Sequence, residues 1–130
     1  MIVGSGIDVI EIARIERALA RSGSRFEARV FTPAEIAECR RHRRPGPHFA
    51  LRFAAKEAAM KAVGTGWAQG VRWVDIETLR PGASRDVLSL ALHGRVGEIA
   101  TARGSCATKL AVGRSRSHAV ALVLLEGAAG

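Results

Sequence analysis

Residues 51–66 read LRFAAKEAAMKAVGTG, a run dense in Ala, Lys, Glu and Met, all good helix formers. Pro45, Gly46 and Pro47 punctuate the chain just before it. Gly64 and Gly66 are placed to end it. At helical spacing Phe53, Glu57, Met60, Lys61 and Gly64 share one face. That face reads as core-directed, so its acid and its amine need a partner or a chemical task. The competing reading is a solvated Glu57–Lys61 pair at i,i+4, worth about a few tenths of a kcal/mol. Spacing alone favours the solvated pair.

Outward from this run, the composition sets limits. The chain has 130 residues, which suggests one domain, 1–130, with a modest core. Hydrophobic residues make up 48% and charged residues 25%, the balance of a soluble globular protein and not of a disordered one. No apolar run approaches the roughly 20 residues of a membrane span. The start of the chain reads directly as a strand, without the basic leader and apolar stretch of a secretory signal. Cys39 and Cys106 lack metal-ligand spacing and are expected to be free thiols in a reducing cytoplasm. Lys and Arg number 20 against 12 Asp and Glu, a formal net charge of +8, so acidic partners are favoured. Aromatic content is 5% with no Tyr, which argues against a sheet that stacks RNA bases.

In chain order, residues 1–9 read as a strand loosened by Gly4 and Gly6 and ending at Asp8. A carboxylate there is equally at home as a metal ligand or as a helix N-cap. A helix over 11–21 follows, with Ile12, Ile15 and Leu19 as its apolar stripe. Arg14, Arg17 and Arg21 form a basic stripe on it, extended by Arg25 and Arg29 after the break Ser22-Gly23-Ser24. Such a stripe is ordinarily a solvated face; as a collection it suits an acidic partner. Thr32, Pro33 and Glu35 fit N-cap, first and third helix positions, with a short helix to about Arg41 and a loop at 45–47. Beyond Gly66 the pattern predicts strands over 71–79 and 86–92, a turn at Pro81-Gly82 and a helix over 93–103. Two further strands over 106–112 and 119–125 are joined by a basic hairpin at 113–118. The order is α+β.

Two strings, GIDVIE at 6–11 and RFAAKEAAMKAVGTG at 52–66, together resemble the holo-acyl-carrier-protein synthase family, the small trimeric 4′-phosphopantetheinyl transferases. The resemblance is dense over 2–15, 25–36 and 51–77 and thin from 79 onwards. It implies a single α+β domain in which a long central helix packs on an antiparallel sheet. It implies transfer of the 4′-phosphopantetheine arm of coenzyme A to a serine of an apo acyl carrier protein, with magnesium, in the cytoplasm. It further implies a homotrimer with active sites at its interfaces. The carrier would be that of fatty acid or polyketide synthesis. A catalytically weakened member that only binds carrier, or a basic nucleic-acid-binding module, are the alternatives.

The chemistry of that transfer explains the residue types. A serine hydroxyl attacks a phosphate of a pyrophosphate, so charge on phosphoryl oxygens must be met by a metal and by cations. Magnesium keeps several waters and needs only one or two carboxylates. The resemblance makes Asp8 and Glu57 its ligands and places Lys61 on a phosphate oxygen. Either Glu57 or a metal-bound water takes the serine proton. The resemblance also assigns Arg52, Lys56 and the Gly64-Thr65-Gly66 backbone to the coenzyme A phosphates. It places Arg14 and Arg25 at carrier-contact positions, and the basic stripe with Arg17 and Arg21 is expected to dock the acidic carrier with them. One departure stands out. The family has Ser, an apolar residue, Ser and His before its last strand, where this chain has Ala111, Val112, Gly113 and Arg114. Arg114 is a candidate replacement for the imidazole, since guanidinium pairs well with phosphate; His118 is the alternative.

Overall fold

The computed structural model describes residues 1–80 and 88–129. Strand β1 (Ile2–Glu11) leads into three helices, α1 (Ile12–Ser22), α2 (Ser24–Val30) and α3 (Pro33–Arg40), and then into the long α4 (Gly46–Val63). A 3-10 turn (Trp73–Asp75), β2 (Ile76–Leu79), β3 (Ser89–Leu92), α5 (Gly94–Ala102), β4 (Ser105–Arg114) and β5 (His118–Gly127) follow. β5 lies between β1 and β4 in an antiparallel sheet, and β2 pairs antiparallel with β3. This is the α+β arrangement of a central helix on an antiparallel sheet that the sequence predicts. Among the described residues no helix is long and apolar enough to cross a membrane. Cys39 is buried and Cys106 exposed, both as free thiols.

Alternation along β5 turns Ala119, Ala121, Val123 and Leu125 inward, where they share the core with Ala54, Ala55, Ala58 and Ala59 of α4. Small side chains on both sides let helix and sheet approach closely. The approach is closest at Gly6, where an added methyl group would overlap the Ala58 carbonyl oxygen and come within 2.9 Å of the Lys61 Cβ. Gly6 is required here because β1 touches α4 backbone to backbone.

Several local expectations are corrected. Helix α4 begins at Gly46, not after a loop at 45–47, because proline is tolerated in a first turn. Gly23, at φ 52°, stops α1 for one residue only, and the chain re-enters a helix, α2, at Ser24. The strand expected over 71–79 is confined to β2, after the 3-10 turn. The Pro81-Gly82 turn and the start of the strand at Asp86 lie outside the described residues.

The largest correction concerns the faces of α4. Arg52 and Lys56, expected on a solvated or ligand-binding side, are 1% and 0% exposed. Glu57 is only half-buried and Lys61 is exposed. The core-directed charges are therefore Arg52 and Lys56. Lys56 Nζ donates to Glu35 Oε1 at 2.7 Å and to the Trp73 carbonyl at 3.1 Å. Glu35 Oε2 accepts from the Thr78 amide and hydroxyl, at 2.9 and 2.5 Å. Its Oε1 accepts from the Thr32 amide at 2.8 Å, closing the expected capping box. Both members of the ion pair are completely buried. Burial pushes the Lys56 pKa down, and Glu35 only partly offsets it.

Removing one partner of such a pair strands a buried charge. Lys56→Ala is expected to lower the unfolding free energy by about 3–5 kcal/mol, read from urea titration. A loss below about 1 kcal/mol, the level of an exposed pair, would contradict the central place given to this interaction.

Candidate active site

Asp8 follows Gly6 by two residues on β1, so both face α4. It sits in mid-strand, opposite Ala121 of β5, and not at a strand end. The N-cap of α1 is Glu11, without a side-chain cap bond, so Asp8 is not a capping residue. Lys61 Nζ donates to the Ile7 carbonyl and to Asp8 Oδ1, both at 3.0 Å. Glu57 lies one helical turn before Lys61. Burial raises its pKa, and the charge of Asp8 raises it further; a hydrogen bond from Trp67 and the charges of Lys61 and Arg14 act the other way. The structure thus brings Asp8, Glu57 and Lys61 together, with Arg14 close enough to act on Glu57.

Helix α4 ends at Gly64, left-handed at φ 85°, a conformation that glycine adopts freely. The Gly64 amide donates to the Met60 carbonyl at 2.9 Å, so this amide is committed to capping and not available to a phosphate. Thr65 and Gly66 follow in the same loop. The Arg103 guanidinium lies over Gly64, and an added methyl there would come within 2.9 Å of its Nη1. Neither Arg103 nor the Trp67 bond to Glu57 is legible in the sequence, because both depend on how a glycine-rich loop folds back.

A second polar cluster sits elsewhere. A cavity of about 470 Å³ is lined by Arg52, Arg80, Arg114, Gly113 and the two imidazoles His42 and His48. Arg52 Nη1 donates to the His48 carbonyl at 3.3 Å, and Arg52 Nη2 is 3.9 Å from Glu38. Arg52 Nε and His42 Nε2 are buried without a hydrogen-bond partner among the described residues. Burial alone would raise the Glu38 pKa, but the hydrogen bond and charge of Arg80, with Arg52 and Arg41, hold it below the ordinary value. The His42 and His48 rings stack with centroids 3.5 Å apart. Burial, then the charges of His42, Arg114, Arg52 and Arg80, push His48 down to about 4. Arg52 and Arg114 therefore share one pocket. Lys56 does not join it: its ammonium is enclosed by Glu35 and the Trp73 carbonyl, and the expected nucleotide contact at Lys56 is withdrawn.

The expected basic stripe is exposed as a whole. Arg14, Arg17 and Arg21 on α1 and Arg25 on α2 all face solvent. Among the described residues none of the four is in an ion pair. Neighbouring arginines are paired, Arg44 with Glu16 and Arg40 with Glu27.

Residues 4–123 match the family model of the 4′-phosphopantetheinyl transferase superfamily. A holo-acyl-carrier-protein synthase of Koribacter versatilis is 44% identical over 126 residues, 97% of this chain and 99% of that protein. A solved holo-acyl-carrier-protein synthase of Neisseria meningitidis superposes with a TM-score of 0.85 at 29% identity, covering 97% of this chain and 99% of its own. The Bacillus anthracis holo-acyl-carrier-protein synthase in complex with CoA (3′,5′-ADP) gives 0.78 at 35% identity, covering 98% and 99%.

The His48 shift has a sign that unfolding can check. The ring titrates at about 4 in the fold against an ordinary 6.5, so the unfolded chain takes the proton first. Its contribution is intact above pH 6.5 and is lost as pH falls through about 4. His48→Phe is expected to lose less stability than the parent between pH 7 and pH 4.5 in urea titrations. Parallel losses would contradict the assignment.

Proposed function

Since this chain belongs to the 4′-phosphopantetheinyl transferase superfamily, we propose that it works as a holo-acyl-carrier-protein synthase. It transfers 4′-phosphopantetheine from coenzyme A to a serine of an apo acyl carrier protein. The serine oxygen bonds to the β-phosphorus, the pyrophosphate bridge breaks, and adenosine 3′,5′-bisphosphate leaves. The observation that carries this reading is the meeting of Asp8, Glu57 and Lys61 where β1 crosses α4.

Asp8 and Glu57 suit magnesium, which binds oxygen and keeps several waters. Among the described residues no cluster of three or more His, Cys, Asp or Glu competes with this pair. When bound, magnesium would offset charge on the phosphoryl oxygens. Lys61, now on Asp8, offers its ammonium to a phosphate oxygen. The serine proton would go to Glu57 or to a water held beside the cation. Arg52 and Arg114 are proposed for coenzyme A phosphates, supported by their shared cavity and by an Arg52 Nε without a hydrogen-bond partner among the described residues. Thr65 and Gly66 border the same transfer.

The exposed Arg14, Arg17, Arg21 and Arg25 are proposed to dock the acidic carrier of fatty acid or polyketide synthesis. Arg14 links that surface to Glu57. A cytoplasmic homotrimer is proposed as the working form. Its support is the outer sheet face, where Ile7, Val9 and Leu122 are 57%, 60% and 39% exposed, with Ile7 opposite Leu122. Such an apolar patch suits burial against another copy.

Incubation with coenzyme A, magnesium and apo carrier, followed by mass measurement, tests the reaction. Asp8→Ala and Glu57→Ala are expected to abolish the mass gain while remaining folded. Near-normal turnover of both at saturating magnesium would refute the metal assignment. Arg14→Glu is expected to weaken carrier binding and to leave coenzyme A affinity unchanged. Salt-steep nucleic-acid binding without metal, and no transfer, would favour a nucleic-acid module instead.

A further inference from the structure

All six aromatic residues of the chain form one series of rings. Phe49 and Phe31 have centroids 5.0 Å apart, Phe31 and Phe26 6.0 Å, and Phe26 and Phe53 6.4 Å. Phe53 stacks on Trp73 at 5.0 Å and Trp73 on Trp67 at 3.6 Å. The series begins with the fully buried Phe49 and ends at Trp67, which is 36% exposed. Its next-to-last member is anchored, since the Trp73 carbonyl accepts from the buried Lys56. Trp67 rides on a loop with left-handed backbone at Gly64, Gly66, Gln69 and Gly70, which folds the indole back over α4. At the end of this series the indole Nε1 donates to Glu57 Oε1 at 3.3 Å.

We propose that Trp67 is a positioning residue: its indole N–H holds Glu57 Oε1 and leaves Oε2 as the oxygen presented to a divalent cation shared with Asp8. This rests on the reading of Asp8 and Glu57 as cation ligands. A glutamate side chain has several rotatable bonds, and fixing it when the cation arrives costs conformational entropy. A donor already bonded to one carboxylate oxygen orders the side chain beforehand. The stack on Trp73 sets where the N–H points, and the core sets where Trp73 lies. Stacking alone would be met by any aromatic ring; only the N–H reaches the carboxylate. The two contributions are therefore separable by substitution.

The test titrates Mn²⁺ alone into the full chain, without coenzyme A or carrier, and follows free Mn²⁺ by electron paramagnetic resonance. Trp67→Phe keeps a ring on Trp73 and removes the donor. It is expected to bind Mn²⁺ about three- to tenfold more weakly, the range for loss of one neutral donor, with an unchanged melting temperature. Glu57→Ala is expected to lose more. Unchanged or tighter binding in Trp67→Phe, with weakened binding in Glu57→Ala, overturns the positioning role and leaves the cation site standing. Unchanged binding in both overturns the proposal together with the cation site. Trp67→Leu removes ring and donor; weakening confined to this variant would make Trp67 a packing residue and also overturn the proposal.

Discussion

The contact between β1 and α4 at Gly6 governs the rest of the structure. Strand and helix meet there with no side chain between them, because any Cβ on Gly6 would run into the Ala58 carbonyl. Alanines on α4 and β5 extend the same close packing along the helix. Strand periodicity then places Asp8, two residues on, against the same helix. Helix periodicity places Glu57 and Lys61 beside it. Charges are normally spread apart on a surface. Here an acid from one element meets an acid and an amine from another because the backbones leave no room for anything larger. The reactive cluster is thus a consequence of the missing side chain at Gly6, and any larger residue there would move Asp8 away from its partners.

The other side of α4 is held by the enclosed pair of Lys56 and Glu35. Every oxygen lone pair on Glu35 that matters has a donor: Lys56, the Thr32 amide, and the amide and hydroxyl of Thr78. A buried carboxylate is tolerated only under such satisfaction. The network ties α3, α4, the 3-10 turn and β2 to a single point. It also fixes the Trp73 carbonyl, and through the ring series it bears on the loop that closes over Glu57. One helix therefore carries two ionic systems of opposite character. One is sealed and structural; the other is half-open and available to ligands.

That division explains what the sequence could and could not disclose. The capping box at Thr32, Pro33 and Glu35, the stop at Gly64, the helix over 94–102 and the terminal hairpin are all local. Each depends on residues a few positions apart, and each is legible. The meeting of Asp8 with Glu57 and Lys61 followed from the family resemblance, since nothing in spacing links positions 53 residues apart in one bond. The core side of α4 is not legible from spacing because the helix is packed on one side by the sheet and on the other by α1 and α3. Apolar residues then occur all round it, and periodicity no longer marks the core side. Arg52 and Lys56 look solvated by type, yet tertiary partners make them the most deeply buried charges among the described residues. Helix α2 escaped because Ser22-Gly23-Ser24 has the composition of a loop, while only Gly23 leaves helical geometry.

The two candidate ligand-binding clusters stand at different places along α4. Arg52 and Lys61 are nine residues apart in sequence, ~13 Å along a helix axis. Arg52 faces the cavity of Arg114, Arg80 and the stacked imidazoles, whereas Lys61 faces Asp8. Arg114 is two strands away from β1, since Gly113 pairs with Val120 and Val120 with Val9. The exposed row of Ile7 and Val9 on β1 and Leu122 on β5 lies on the outer face of the sheet, with Ile7 and Val9 flanking Asp8 on the same edge strand. Burying that row against another copy, as proposed, would place the strand that carries Asp8 at the boundary between copies. In the proposed assembly the hydrophobic contact of this face would supply the alignment between copies, and the polar cluster beside it would lie at their boundary.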